Sequence, residues 1–473
     1  MTQTLLCSDH ETPSVALDGV SLVERLCFDP SAIAAVRDEA QHLVIGIHRD
    51  DADMVRFQSA MRRIGFDPLG VGIVDLSLLT DPQALDATLA GVVARTEAFP
   101  GASPEQAKLV PAPGISRRSL LSALVPLTIG APLIDRGACV ADEGCRACAT
   151  SCPVGALTWE GGSISYDKAA CVACGICVTT CPVGAVINPT VTPEAVEAQI
   201  AAMLDASAAA PVGIRYMCRD GESPGGPGWL DVYVPCTGML TASWLLAPLA
   251  MGAAATDATP CAESGCSLGN DHRIASTLTD TRTILDALGL DWERVGPVKV
   301  TLLTPFPAPT ANGPMFGPSA ERQVIECLAS IHNTYTAAAS LDSTPVGAVS
   351  IDPVTCTACA ICARTCPTNA LTATTTSEVV IEFDPRLCVA CAQCVGACPE
   401  IERSAISMST GFDLADWERG RREMRRDSVP KCESCGKPVA PSAMLERITA
   451  MLGSEHAATA TILRTRCLDC RGR

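Results

Sequence analysis

Cysteines at short, repeated intervals carry most of the chemistry this sequence could do. Three runs leave two, two and three residues between cysteines and end in Cys-Pro: Cys171, Cys174, Cys177, Cys181; Cys356, Cys359, Cys362, Cys366; and Cys388, Cys391, Cys394, Cys398. A fourth keeps the later part, Cys145, Cys148 and Cys152-Pro153, but five residues separate Cys139 from Cys145. Thiolates at this spacing let one loop wrap three corners of an iron–sulfide cubane, while the last cysteine, stiffened by proline, reaches a neighbouring cluster. That rule assigns Cys356, Cys359, Cys362 and Cys398 to one 4Fe-4S cluster and Cys388, Cys391, Cys394 and Cys366 to the next. It assigns Cys171, Cys174, Cys177 and Cys152 to a third, and Cys139, Cys145, Cys148 and Cys181 to a fourth. Without Cys139 the fourth is a three-cysteine site, more labile and more exposed. Segment 139–182 repeats the cysteine spacing of 356–399, so a module is duplicated.

These two stretches resemble bacterial two-cluster ferredoxins. The lead-in from Ile115 to Leu121, Ile-Ser-Arg-Arg-Ser-Leu-Leu, resembles that of ferredoxins associated with periplasmic nitrate reductase maturation. Between the modules stand Cys218, Cys236, Cys261 and Cys266, in the contexts Tyr216-Met217-Cys218, Val234-Pro235-Cys236-Thr237-Gly238 and Cys261-Ala262-Glu263-Ser264-Gly265-Cys266, with Leu290-Asp291-Trp292 downstream. This run resembles the delta iron–sulfur subunit of methyl-viologen-reducing hydrogenases. The resemblance implies a 2Fe-2S cluster held by Cys218, Cys236, Cys261 and Cys266, with Gly238, Gly265 and Gly269 allowing close backbone approach. It also implies a role between a hydrogenase or formate dehydrogenase and heterodisulfide reductase. That family often has a second cysteine soon after the first; here Arg219-Asp220-Gly221 offers none.

The N-terminal stretch, with Leu6-Cys7, Leu26-Cys27-Phe28-Asp29-Pro30, the run from Leu43 to His48 and Arg62-Arg63-Ile64-Gly65-Phe66-Asp67-Pro68, resembles the N-terminal domain of the heterodisulfide reductase A subunit. That domain binds a cluster in its family; this chain supplies only Cys7 and Cys27, and the cluster is expected to be lost. No Gly-x-Gly-x-x-Gly follows a candidate strand, so no flavin or nicotinamide site is expected. In the tail, Cys432, Cys435, Cys467 and Cys470 form two knuckle-like pairs suited to structural zinc, with rubredoxin-like iron and free thiols as the alternatives. Cys327 stands alone as an expected core thiol, and none of the six histidines falls in a ligand-like sequence cluster.

The elements that must position these cysteines follow from the pattern around them. The 473 residues suit about three domains, and with aromatics at 4% part of the core-forming work falls to metal centres. The expected class is mixed α/β and α+β, multidomain. A small α/β unit (1–95), with strands near His42–Ile47 and Val71–Val74 and an amphipathic stretch from Ser31 to Gln41, leads through a linker (96–134) to the first ferredoxin module (135–190). The 2Fe-2S domain (205–303) has strands expected near Val212–Met217, Val232–Val234 and Val298–Leu303, and a buried helix within Leu240–Ala255. A proline-rich linker (304–318), the second module (345–410), a basic helix from Leu414 to Arg426 and a zinc-ribbon-like tail (428–473) complete the chain.

The start, Met1-Thr2-Gln3-Thr4, lacks a signal-peptide pattern, and Arg117-Arg118 lies too deep for twin-arginine export. No stretch is long enough to span a bilayer, and the cysteine usage fits a reducing cytoplasm. A net charge of −17 argues against nucleic acid as a partner. The expected function is an electron relay between redox subunits: a dehydrogenase, hydrogenase or flavoprotein and a heterodisulfide-reductase-like partner. The competing expectations are a self-contained oxidoreductase acting at one unusual cluster, and a cluster-binding maturation or sensing protein.

Overall fold

The computed structural model describes residues 2–9, 15–29, 31, 33–34, 41–48, 54–110, 127–219, 221–261, 266, 268–307, 314–317 and 320–471. Most of the stretch from Ser31 to Gln41, the lead-in from Ile115 to Leu121, and Gly265 lie outside the described residues. The chain forms two compact units, residues 1–139, 147–158 and 165–334, and residues 140–146, 159–164 and 335–473.

The N-terminal apolar runs form four parallel strands, β1 (Thr2–Cys7), β2 (Val20–Val23), β3 (His42–Ile47) and β4 (Gly72–Asp75), in the order β2-β1-β3-β4. The run Leu43-Val44-Ile45 is fully buried, as a central parallel strand requires. Helix α2 (Pro82–Glu97) packs on β3 and β4, and Phe57 and Met61 of α1 (Met54–Ile64) join the same core. α2 begins where the Asp81 carboxylate accepts from the amides of Gln83 and Ala84 and Pro82 fills the first turn. Two short strands, β5 (Ala107–Val110) and β6 (Leu127–Gly130), pair antiparallel within the expected linker.

In the first cysteine-rich module β7 (Leu133–Ile134) pairs antiparallel with β10 (Val186–Ile187), and β8 (Leu157–Glu160) pairs with β9 (Ser163–Tyr166) across Gly161-Gly162, both at positive φ. The short helices α3 (Ala147–Ser151) and α4 (Ile176–Thr180) lie between these strands in sequence. Helix α5 (Pro193–Ala206) packs on α2, where Arg95 donates to Gln199 Oε1 and to the Tyr233 carbonyl, each at 2.9 Å.

Three parallel strands follow, β11 (Gly213–Cys218), β12 (Trp229–Val234) and β13 (Ala255–Thr259), in the order β12-β11-β13, with α6 (Ala242–Ala250) wholly buried and α7 (Asp271–Ala287) beyond. The third strand is therefore not the expected Val298–Leu303, which holds a 3-10 turn at Val300–Leu302. The expected buried helix stops at Ala250; Gly252, at φ 109°, turns the chain so that Ala255 enters the sheet. The free edge of β13 is met only at Thr256 by Val295, among the described residues. α8 (Ala320–His332) packs against α6, and Trp244 stands edge-on between Tyr216 and Phe316, with centroids at 6.0 and 5.2 Å.

The second module repeats the plan of the first. β14 (Ala338–Ser340) and β15 (Gly347–Ile351) both pair antiparallel with β18 (Ile406–Asp413), and β16 (Leu371–Thr375) pairs with β17 (Glu378–Phe383), with α9 (Ile361–Arg364) and α10 (Gln393–Gly396) between. The expected basic helix to Arg426 ends early: α11 (Leu414–Arg419) stops at Gly420, φ 67°, and Arg422–Ser428 is strand β19 on β17. Its arginines are engaged, Arg422 with Asp416 at 2.9 Å and Arg426 with Glu378 and Glu423 at 2.6 and 2.5 Å. The tail carries α12 (Ser442–Leu452) and α13 (Ala457–Thr465) between its cysteine pairs. Among the described residues no helix is long and apolar enough to cross a membrane.

Candidate metal centres

All four cysteine loops are launched by one device that lies four residues ahead of the first cysteine. Asp135, Asp167, Asp352 and Asp384 precede Cys139, Cys171, Cys356 and Cys388. Each aspartate amide donates to the carbonyl of a buried alanine: Asp135 to Ala185 (2.7 Å), Asp167 to Ala156 (2.9 Å), Asp352 to Ala405 (3.1 Å) and Asp384 to Ala370 (2.8 Å). Each carboxylate then accepts the amide two residues on, from Gly137, Ala169, Val354 and Arg386, at 2.8 to 3.1 Å. This Asx-turn aims the chain into the cysteine loop. The Cys139, Cys171 and Cys356 amides also close back onto the aspartate carbonyl at 3.0, 3.1 and 3.0 Å. Cys139 thus begins its loop as Cys171 and Cys356 do, whereas the Cys388 amide closes onto the Pro385 carbonyl at 3.4 Å.

The regular loops share a second feature. Ala173 and Gly175, Ala358 and Ala360, and Ala390 and Ala392 all sit at positive φ, 50° to 81°. Alternating left-handed residues turn successive amides toward one side, the geometry of an anion-binding nest, and Ala173 N–H donates to Cys171 Sγ at 3.3 Å. The irregular loop lacks this pair; its left-handed residue is Gly144, φ 97°, just ahead of Cys145.

The fourth cysteine of each regular second-module run stands with the other run's loop. Cys356, Cys359, Cys362 and Cys398 line one cavity with Ile351, Ile381 and Ile406. Cys366 lies within electrostatic reach of Cys388, Cys391 and Cys394. In the first module Cys152 is likewise beside Cys174 and Cys177. Cys148, at the start of α3, also reaches Cys177, and Cys181 Sγ accepts the Ala185 amide at 3.2 Å. Burial, and then the neighbouring thiols, push Cys362 up to about 12; burial does the same to Cys388 and Cys394, with neighbouring thiols adding to it. Thiols crowded this way do not ionise together unless a cationic centre holds them, so the sets fit metal clusters better than bare sulfhydryls.

The cysteines between the modules leave the carboxyl ends of three adjacent parallel strands, where open α/β sheets place their ligands. Cys218 ends β11, Cys236 follows β12 and Cys261 follows β13. Cys261 lies within reach of Cys218 and Cys266, and Cys236 of Cys218 and Cys266. The hydrogen bond with Cys218 holds the Cys236 thiol below its ordinary range against the opposing effect of burial, and the Gly238 amide at 3.3 Å adds to this. Arg219 has a use of its own: it donates to the carbonyls of Ala173 and Val172 at 3.0 and 2.7 Å, inside the Cys171 loop. Thr179 Oγ1 donates to the Met239 carbonyl at 2.6 Å, and Arg273 lies near both Cys174 and Cys236 while donating to Gly238 O at 3.2 Å. The two thiol sets are therefore neighbours joined by a hydrogen-bonded seam.

In the tail the ligand atoms of Cys432, Cys435, Cys467 and Cys470 all lie within 4.8 Å of one another. Backbone amides hold the Cys432 thiol down at about 6, against its burial, and Lys437 pairs with Asp469 at 2.8 Å across the two knuckles. One grouping was missed from sequence: Cys7, Cys27 and His48 also gather within 4.8 Å. The expectation that no histidine joins a ligand cluster fails here, because strand pairing brings together residues that lie far apart in the chain. Cys327 is buried in α8.

No curated protein matches the chain. Residues 138–185 and 344–401, the two stretches that the loop geometry marks out, each match the family model of the 4Fe-4S dicluster domain, and the chain carries two ferredoxin-like iron–sulfur modules.

Proposed function

We propose that this chain is a cytoplasmic iron–sulfur electron-transfer subunit with four 4Fe-4S clusters, one 2Fe-2S cluster and a zinc-bearing tail. The observation that carries the reading is the fourfold repeat of aspartate launch and cysteine loop, with Cys398, Cys366 and Cys152 each set against the opposite loop. The ligand sets are those expected from the spacing, with Cys139 included on the strength of Asp135 and its turn. Cys218, Cys236, Cys261 and Cys266 would hold the 2Fe-2S cluster, and Cys432, Cys435, Cys467 and Cys470 the zinc.

When bound, such clusters supply one-electron carriers whose potentials follow hydrogen bonding to sulfur, charge and burial. The protein groups that set these terms are on hand. The amides of Ala173, Ala185, Gly238 and Leu371 point at thiol sulfurs, and Arg219 and Arg273 bring positive charge to the seam between Cys174 and Cys236. The seam suits passage between the two sites. The resemblances of the central and N-terminal stretches, and not the seam, are what point to redox subunits of the hydrogenase, dehydrogenase, flavoprotein or heterodisulfide-reductase-like kind as donor and acceptor.

Crossed ligation gives the test. Cys398→Ser should alter the same low-temperature EPR signal as Cys359→Ser, and Cys366→Ser the same signal as Cys391→Ser. If Cys398→Ser instead matches Cys391→Ser, each run keeps its own cluster and the two-cluster reading is wrong.

A further inference from the structure

Cys7, Cys27 and His48 belong to none of the cysteine sets above, yet they converge. Cys7 ends β1, Cys27 lies in the turn after β2, and His48 directly follows β3. The chain passes from β1 to β2 on one side and then to β3 on the other. The three residues therefore meet at the carboxyl edge where the strand order reverses, the usual place for a ligand in such a sheet. All are buried, at 0%, 2% and 8% exposure, and the three ligand atoms lie within 4.8 Å of one another.

The spacing is that of a mononuclear site. Zinc–sulfur and zinc–nitrogen bonds of about 2.3 and 2.0–2.1 Å at a tetrahedral angle put sulfur and nitrogen about 3.6 Å apart. The Cys27 Sγ to His48 Nδ1 distance is 3.6 Å. The His48 amide donates to Cys27 Sγ at 3.2 Å, fixing that sulfur as a metal-bound thiolate needs. Asp9, two residues after Cys7, is exposed and accepts the Arg25 amide at 2.5 Å, which ties the β1 and β2 ends together beside the three ligands.

We propose that Cys7, Cys27 and His48 hold a zinc ion, with the fourth position on the solvent side near Asp9. Two thiolates and one imidazole are a borderline-soft set suited to zinc, and three protein ligands leave one coordination position open. This separates the site from the tail, whose four thiolates would close the ion in. Its role is to pin the ends of β1, β2 and β3, and the open position admits one small exchangeable ligand such as water.

The test is zinc and iron analysis of the full chain, isolated anaerobically. The proposal expects about two zinc per chain in the parent, and His48→Ala and Cys27→Ser should each lose about one while iron stays unchanged. Cys467→Ser/Cys470→Ser should lose the other, which keeps the tail and N-terminal assignments distinguishable. His48→Cys restores a ligand and should keep the parent zinc count, so a folding defect in His48→Ala does not decide the matter. Zinc unchanged in folded Cys27→Ser and His48→Ala, or zinc lost from His48→Cys with iron intact, overturns the site.

Discussion

Gly175 offers a sharp test of the seam between the Cys171 loop and the Cys236 site. The equivalent positions in the second module are alanines, Ala360 and Ala392, at φ 58° and 57°. Positive φ therefore does not by itself demand glycine in this loop. What differs is the neighbour: a Cβ on Gly175 would stand 2.8 Å from Met239 Sδ and 3.3 Å from its Cε, and Met239 is completely buried. Gly175→Ala should cost about 1 kcal/mol for the left-handed backbone and about 1–2 kcal/mol for crowding. A total of about 2–3 kcal/mol corresponds to roughly 30- to 150-fold easier local opening. Hydrogen exchange on the holoprotein reads this directly at the amides of Met239 and Leu240, which bond to the carbonyls of Cys236 and Thr237 at 3.0 and 3.2 Å. Exchange at the Cys356 and Cys388 loops should stay as it was. Unchanged protection at Met239, or equal loss of protection in all three loops, would refute the seam.

Three further outcomes follow from the same geometry. Arg273→Gln removes a partly exposed cation near Cys174 and Cys236; after solvent screening, the potentials of both nearby clusters should fall by about 50 mV in EPR-monitored titrations, with second-module signals unmoved. Glu321 is buried and accepts from Thr241 and Ser243 at 2.7 and 3.0 Å, and burial pushes its carboxyl up. The folded state therefore holds this proton after the unfolded chain has released it, so its contribution to stability falls as pH rises above the ordinary carboxyl range; Glu321→Gln should gain on the parent between pH 5 and 8 in denaturant melts. Asp135→Ala should destabilise the cluster begun by Cys139 while sparing that of Cys171, seen as selective loss of about four irons on mild chelation; loss from both alike would leave the Asx-turn without a specific role.

Much of this was readable from cysteine spacing, because the ligand loops are local and their sequence directly specifies their geometry. The launch device is equally local: an aspartate stands four residues before every first cysteine, Cys139 included, a signal independent of the spacing between cysteines. What sequence could not supply lay in tertiary pairing. Arginines at 419, 421, 422, 425 and 426 read as a helical face, but Gly420 breaks the helix and Arg422–Ser428 pairs with β17, where alternation decides which side chains share a face. Ala255–Thr259 is hidden at the end of an apolar run, and the 298–303 run reads as a strand but has no partner strand among the described residues, holding a 3-10 turn instead. His48 joins Cys7 and Cys27 only through strand order.

Iron and acid-labile sulfide content on the anaerobically reconstituted chain, with EPR spin counting during a reductive titration, tests the central claim most directly. Four cubanes and one 2Fe-2S cluster require about 18 irons per chain and five reducible centres. Iron near eight or below, or signals accounting for no more than two clusters, would contradict it.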